Sequence, residues 1–241
     1  MSIDMFRFKE FSIDDSECAM KVGTDGVLLG SWADVEGAMN IVDAGCGSGL
    51  ISLMMAQRAP QARIYGVDID RDAVKCCQSN VDSSQWKNRI EVFQNDITSF
   101  FPDKASSPLL IVSNPPFFNE PLRSPDTIRA LARHGEEFGI ESLLSLGAQY
   151  LVMPGDSMAF ISPYGRKDEI EWLLSCNRLA SRRMTSVFSK RGKKALRILW
   201  QVMPERYMNT RCVTENLYIR NEDNEYSTAY KLLTYPFYLD K

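Results

Sequence analysis

The sequence predicts an α/β fold: one open, mostly parallel sheet with helices on both faces and a late antiparallel hairpin. Three observations predict it. Short apolar runs alternate with longer segments of helical periodicity along most of the chain. A glycine-rich turn follows the first clear strand, which is where such sheets receive ligands. The last two strand-like runs are separated only by Ser189 to Lys194, too few residues for a helical crossover, so they should pair antiparallel.

The elements follow in order. Asn40 to Asp43 reads as a strand and Gly49 to Ala59 as a helix, with Leu50, Leu53, Met54 and Gln57 spaced for one face. Arg63 to Val67 is the next strand and Asp70 to about Val81 the next helix. Ile90 to Gln94 and Leu109 to Val112 are strands three and four. Phe138 to Leu151 is a helix stopped by the turn Met153-Pro154-Gly155. Ser157 to Ile161 is a strand, Lys167 to Cys176 a helix, and Met184 to Phe188 and Ala195 to Val202 form the late hairpin. This makes seven strands. No repeat, low-complexity tract or linker divides the chain, so residues 1–241 should form one domain, with small appendages at about 1–19 and 212–241.

Composition bounds the function. The chain has 241 residues, 44% hydrophobic and 24% charged, values of an ordinary soluble globular protein. No run reaches the ~18 apolar residues of a membrane span. The opening MSIDMFRFKEF lacks the basic and apolar regions of a secretory signal, which points to the cytoplasm; a monomer without a membrane partner is expected. The six cysteines (Cys18, Cys46, Cys76, Cys77, Cys176 and Cys212) form no C-x-x-C pair and are expected to be reduced thiols. With His134 as the single histidine, no metal site is expected. Net charge is −3, yet between Arg182 and Arg211 nine basic residues stand against the single acid Glu205. One basic stretch on an acidic protein suits a polyanion docking beside a separate pocket.

The turn after the first strand reads Asp43-Ala-Gly45-Cys-Gly47-Ser-Gly49. Its glycines permit a tight turn and let a ligand approach the backbone. The third glycine comes one residue earlier than in the G-x-G-x-x-G of dinucleotide folds, and no phosphate-binding lysine follows. Asp68 ends the second strand, nineteen residues after Gly49, where a carboxylate can accept both hydroxyls of a ribose. Asp96 follows the third strand in the same way. Ile69 and Ile97, directly after these acids, complete the set.

After the fourth strand comes Asn114-Pro115-Pro116-Phe117. The tetrapeptide resembles the motif of methyltransferases that modify planar nitrogen, and this resemblance implies an exocyclic amine as substrate, a poor nucleophile because its lone pair is delocalised into the ring. The Asn114 side-chain oxygen and the Pro115 carbonyl can accept its two N–H bonds and free that lone pair. Phe117 can stack on the face of the base. The prolines stiffen the loop and remove two competing donors.

These motifs resemble those of Rossmann-like class I S-adenosylmethionine methyltransferases: Asp43 to Gly49 as the cofactor loop and Asn114 to Phe117 as the motif of enzymes methylating planar nitrogen. The likeness extends over nearly the whole chain. Val22-Gly-Thr24-Asp25, after Lys21, is similar to a segment of bacterial tRNA(Val) adenine-N6-methyltransferases, which act on the adenine next to the anticodon. The resemblance implies S-adenosyl-L-methionine as cofactor, tRNA as partner, and Lys21, Thr24 and Asp25 as closing the cofactor pocket. From the residues alone, Thr24 or Asp25 reads as an N-cap of the helix running to Trp32. Ala132-Arg133-His134 also resembles that family, which would set Arg133 and His134 beside the base or its phosphate. Lys190, Arg191, Lys193 and Lys194, at the hairpin tip, would hold RNA phosphates. A guanine-N2 RNA methyltransferase and a catalytically idle RNA-binding module stand as alternatives.

Overall fold

The computed structural model describes residues 5–16, 18, 21–103, 105–117 and 138–239. Ten strands and six α-helices are found among them. A two-stranded hairpin, β1 (Phe6–Arg7) and β2 (Ser12–Ile13), precedes helix α1 (Thr24–Trp32). The alternating core follows as β3 (Asn40–Ala44), α2 (Leu50–Arg58), β4 (Arg63–Asp68), α3 (Arg71–Asp82), β5 (Ile90–Gln94) and β6 (Leu109–Ser113). Then come α4 (Ile140–Tyr150), β7 (Ser157–Pro163), α5 (Lys167–Cys176), β8 (Leu179–Lys190) and β9 (Ala195–Pro204). The chain closes with β10 (Val213–Arg220) and α6 (Thr228–Thr234).

Strands β3 to β10 form one sheet in the order β10-β8-β9-β7-β6-β3-β4-β5. Only β9 runs against its neighbours; the other pairings are parallel. The parallel strands are apolar on both faces: β6, LLIVS, is buried at every position, as a strand covered by helices on both sides must be. Two cores result. Leu53, Met54, Ile64 and Phe237 lie in one; Leu143, Phe160 and Trp200 lie in the other, with the last two rings stacked at 5.9 Å.

The structure corrects the sequence reading in three respects. The sheet has eight strands rather than seven, and the added strand, β10, comes from the stretch expected to be an appendage. Polar residues dock it. Trp32 Nε1 donates to Thr185 Oγ1 (2.9 Å), which donates to the Glu215 carboxylate (2.9 Å), and Arg183 pairs with the same carboxylate at 2.9 Å while lying over the Trp32 ring. Helix α2 is not amphipathic. Leu50 to Ala56 are all buried, because α1 and the C-terminal segment cover the side that periodicity assigned to solvent. Gly30 makes that cover close: a Cβ there would sit 2.4 Å from the Met54 sulfur.

The third correction concerns the thiols. Cys18 and Cys76 form a disulfide rather than two reduced cysteines. The segment before α1 folds across α3, where Asn80 accepts the Asp14 N–H (2.9 Å) and donates to the Asp14 carbonyl (3.0 Å). Cys18 is thereby brought beside a residue 58 positions away, a closeness no local spacing encodes. Cys46, Cys77, Cys176 and Cys212 are free thiols.

Candidate active site

The site forms at the carboxyl edge of the parallel strands, where β3, β4 and β6 end side by side. The glycine turn leaves β3 and is held by backbone bonds: Gly45 and Cys46 both donate to the Val67 carbonyl, at 2.8 and 3.1 Å. Gly45, Gly47 and Gly49 all have positive φ (77°, 53° and 81°), which side-chain-bearing residues rarely adopt. A Cβ on Gly47 would meet nothing within 4 Å, and one on Gly45 only the Phe138 ring at 4.0 Å. The backbone at Gly45 and Gly47 therefore faces open space, whereas Gly49 packs against Cys77.

Two carboxylates frame this turn. Asp68 accepts the Gly47 N–H at 2.9 Å with one oxygen and the Asp70 N–H at 3.0 Å with the other. Asp43 is fully buried. One of its oxygens accepts the Ser52 hydroxyl at 2.6 Å; the other, Oδ1, meets no hydrogen-bond partner among the described residues. Burial, with a smaller contribution from the nearby Asp68 charge, pushes the Asp43 carboxyl up to about 7, against the lowering effect of Ser52.

At the end of β4, Ile69 is half exposed beside the site, an apolar surface at a rim that is otherwise acidic. Asp96 accepts the Thr98 N–H (2.9 Å) and hydroxyl (2.7 Å), so it also shapes its own turn, and Ile97 is buried. Asn114 follows Ser113, whose hydroxyl donates to the Ala44 carbonyl at 2.7 Å and ties the end of β6 to the start of the glycine turn. The Asn114 side chain is partly exposed, Pro115 is buried, and Phe117 packs against the core edge.

The comparisons with known proteins agree with this geometry. A family model, the methyltransferase small domain, matches residues 19–152. Over 250 aligned residues the chain is 40% identical to tRNA1(Val) (adenine(37)-N6)-methyltransferase of Porphyromonas gingivalis, covering 99% of this chain and 96% of that one. The chain belongs to this family. The family enzyme of Phocaeicola vulgatus is 41% identical (98% and 97% covered) and that of Haemophilus influenzae 39% (97% and 98%). Among solved structures, a predicted O-methyltransferase from Agrobacterium tumefaciens superposes with a TM-score of 0.66 at 18% identity, covering 88% of this chain and 96% of that one. The fold is thus that of class I methyltransferases.

Against the family pattern, the expected site residues fall into four groups, the last of them the basic turn. Asp43 lies in β3 and Asp68 ends β4, while Gly45, Gly47, Gly49, Ile69, Asp96, Ile97 and Asn114 to Phe117 lie on the turns that follow β3, β4, β5 and β6. Lys21 reaches instead to the Asp15 carboxylate (3.7 Å) and the Ser16 carbonyl (3.1 Å), and Thr24 is exposed. Neither Thr24 nor Asp25 caps α1: the cap position is Gly23, without a side-chain bond, and Asp25 accepts Arg197 Nε at 2.9 Å. Arg133 and His134 lie outside the described residues.

The basic turn leaves β8 at Lys190 and enters β9 at Ala195. Since β9 reverses direction, this turn stands at the same sheet edge as Asn114: Arg197 pairs with Pro163, the last residue of β7. Lys193 and Lys194 are exposed, and Arg191 rests 5.8 Å from the Tyr218 ring. The basic stretch is less positive than its composition implies. Arg182 pairs with Asp34 (3.3 Å), Arg183 with Glu215 and Arg197 with Asp25. Among the described residues no ion pair involves Lys190, Arg191, Lys193 or Lys194, so most of the charge left for a partner sits at the tip.

Sequence reasoning missed the supporting residues Ser52, Asn80 and Ser113. Asn80 donates to the Ser48 carbonyl at 2.9 Å and so fixes the glycine turn from α3. The signal available was faint: single polar residues, each buried and each hydrogen-bonded.

Proposed function

We infer that the protein transfers a methyl group from S-adenosyl-L-methionine to N6 of an adenine in tRNA, the anticodon-loop adenine of tRNA(Val) being the substrate the family points to. One observation carries this reading: Asn114-Pro-Pro-Phe117 is tied through Ser113 to the first turn of a glycine loop, in a chain alignable over its full length with adenine-N6-methyltransferases.

The residues fit the cofactor. The unpartnered, buried Asp43 Oδ1 and the open backbone at Gly45 and Gly47 leave polar groups and space for a ligand with donors of its own. Asp68 would accept the ribose hydroxyls, Asp96 the adenine amino group, and Ile69 and Ile97 would flank the ring. Lys21, Thr24 and Asp25 would border the pocket. When bound, the cofactor supplies an electrophilic methyl group on a sulfonium.

The protein supplies orientation. The Asn114 side-chain oxygen and the Pro115 carbonyl accept the two N–H bonds of the target amine, and Phe117 holds the ring by stacking. Such placement is worth ~7–11 kcal/mol when the geometry is near attack. A general base is not needed, because the methylated ammonium loses its proton to water. A stacked adenine cannot enter, so an unpaired loop nucleotide or a flipped one is the substrate. Lys190, Arg191, Lys193 and Lys194 hold RNA phosphates, with Arg133 and His134 near the base. The same reading makes the protein a cytoplasmic monomer; among the described residues no helix is long and apolar enough to cross a membrane.

Nucleoside mass spectrometry of tRNA incubated with the protein and methyl-labelled cofactor tests the assignment. Label in N6-methyladenosine is expected. Label in N2-methylguanosine would keep the fold and cofactor and overturn the base.

A further inference from the structure

Arg197 is a buried-edge cation that the reaction outlined above leaves unused. It stands on β9, three residues beyond Lys194, and faces away from solvent with only 22% of its side chain exposed. Its Nε donates to Asp25 Oδ2 at 2.9 Å, and the Asp25 side chain is itself 27% exposed. The same guanidinium lies 5.2 Å from the centroid of the Phe117 ring. One side chain therefore joins three separate segments: the first turn of α1, the start of β9 and the last residue of Asn114-Pro-Pro-Phe117.

Arginine suits this junction for a physical reason. Its guanidinium is planar, so it can lie over an aromatic face while the N–H fork in its edge engages a carboxylate. A lysine keeps the charge but presents a point, not a plate. The strand does not require either residue, since β9 pairs with Pro163 and Val187 through its backbone. Among the described residues, Phe117 otherwise packs at the edge of the core, as a partly buried ring.

We propose that Arg197 is a positioning residue for methyl transfer: anchored by Asp25, it fixes the Phe117 ring in the orientation that receives the target base. The proposal rests on the reading of Phe117 as the stacking platform. It adds a register between two parts of the substrate. The turn at Lys190 to Lys194 runs directly into the strand that carries Arg197, so RNA phosphates at the turn and the base at Phe117 are held by one segment.

The test places para-fluorophenylalanine at position 117 and follows its fluorine NMR signal in the intact protein, alone and with R197Q, R197K or D25N. A shifted or broadened signal is expected in R197Q and D25N, and a smaller change in R197K. In parallel, single-turnover methylation of tRNA is measured for R197Q, F117L and the double variant. R197Q should slow the step roughly 10- to 100-fold while tRNA affinity changes by less than about threefold, and it should cost little further in the F117L background, because residues acting through one another are not additive. An unmoved fluorine signal in all three variants overturns the proposal, as does a rate loss that multiplies fully with that of F117L. R197K carries both measurements if R197Q fails to fold. Failure of the functional reading appears elsewhere, as absence of N6-methyladenosine with the unsubstituted protein, whereas the fluorine signal requires no turnover.

Discussion

The Asp68 carboxylate accepts the backbone N–H of Gly47 at 2.9 Å, so the acid expected to receive a ribose also clamps the turn that receives the rest of the ligand. D68A removes both functions at once. Cofactor affinity should fall by about 100-fold or more, since hydrogen bonds to a carboxylate contribute ~1.5–3 kcal/mol each. D68N keeps one acceptor oxygen and should recover part of the loss. Isothermal titration with S-adenosyl-L-methionine measures both variants.

Asn114 belongs to the other half of the site. N114A should leave cofactor affinity within about threefold and reduce single-turnover methylation by roughly 100- to 1,000-fold, because its bonds count most in the transition state. An equal loss of cofactor binding and turnover would move Asn114 from the reaction to the architecture of the pocket.

The buried Asp43 gives a pH dependence. Its folded-state carboxyl stands at about 7, above the ordinary 3.8 of an unfolded chain. The folded state therefore holds more protons between these values, so stability is full below about pH 4 and declines as pH rises through 7. D43N, neutral and of the same shape, should flatten that decline and raise the stability of the ligand-free protein at pH 8 by roughly 2–4 kcal/mol. Melting temperatures of both proteins at pH 5.5 and 8 check it: a parallel pH response excludes Asp43 as the cause.

The four cations of the hairpin tip should act through salt. Substituting Lys190, Arg191, Lys193 and Lys194 by alanine should weaken tRNA binding and make the log-affinity against log-salt slope shallower by about 3, at ~0.7–0.9 per phosphate contact. Filter binding between 50 and 200 mM salt, about the range in which such contacts change affinity most, gives the slope. An unchanged slope would leave the tip without a role in RNA binding.

Reduction of the Cys18–Cys76 bond should lower stability by about 2–4 kcal/mol, the usual contribution of a cross-link closing a long loop. Thermal melts with and without dithiothreitol, with C76S as the control, read this directly. The C76S protein should show no response to the reductant.

Much of the fold was legible in the sequence because the parallel strands are continuous apolar runs punctuated by turn residues. Lys167–Cys176 and Ile90–Gln94 were read to the residue. β10 was not legible. VTENLYIR exposes its first four residues, and its place beside β8 depends on Glu215 meeting Thr185 and Arg183, thirty or so positions away. The same limit hid the Cys18–Cys76 bond. Within the site, Asp43, the glycines, Asp68 and Asn114 to Phe117 stood out because their spacing is local. Ser52, Asn80, Ser113 and Arg197 did not, because what gives each its meaning is a partner on a distant segment: Asp43, Ser48, Ala44 and Asp25 in turn. Arg197 counted only as one of the nine basic residues between Arg182 and Arg211 for the same reason.

β9 alone runs backwards in the sheet, and its turn is joined to β8 by an antiparallel ladder that ends at Phe188–Ala195. Residues 189–194 beyond that ladder form no part of either core. Length and charge can therefore vary there without altering a buried contact, while the chemistry stays on turns anchored to β3, β4 and β6. On the proposed reading, the reversal of a single strand sets the phosphate-holding tip on an external loop, so that affinity for RNA can change there while the turns proposed to carry the chemistry keep their anchors.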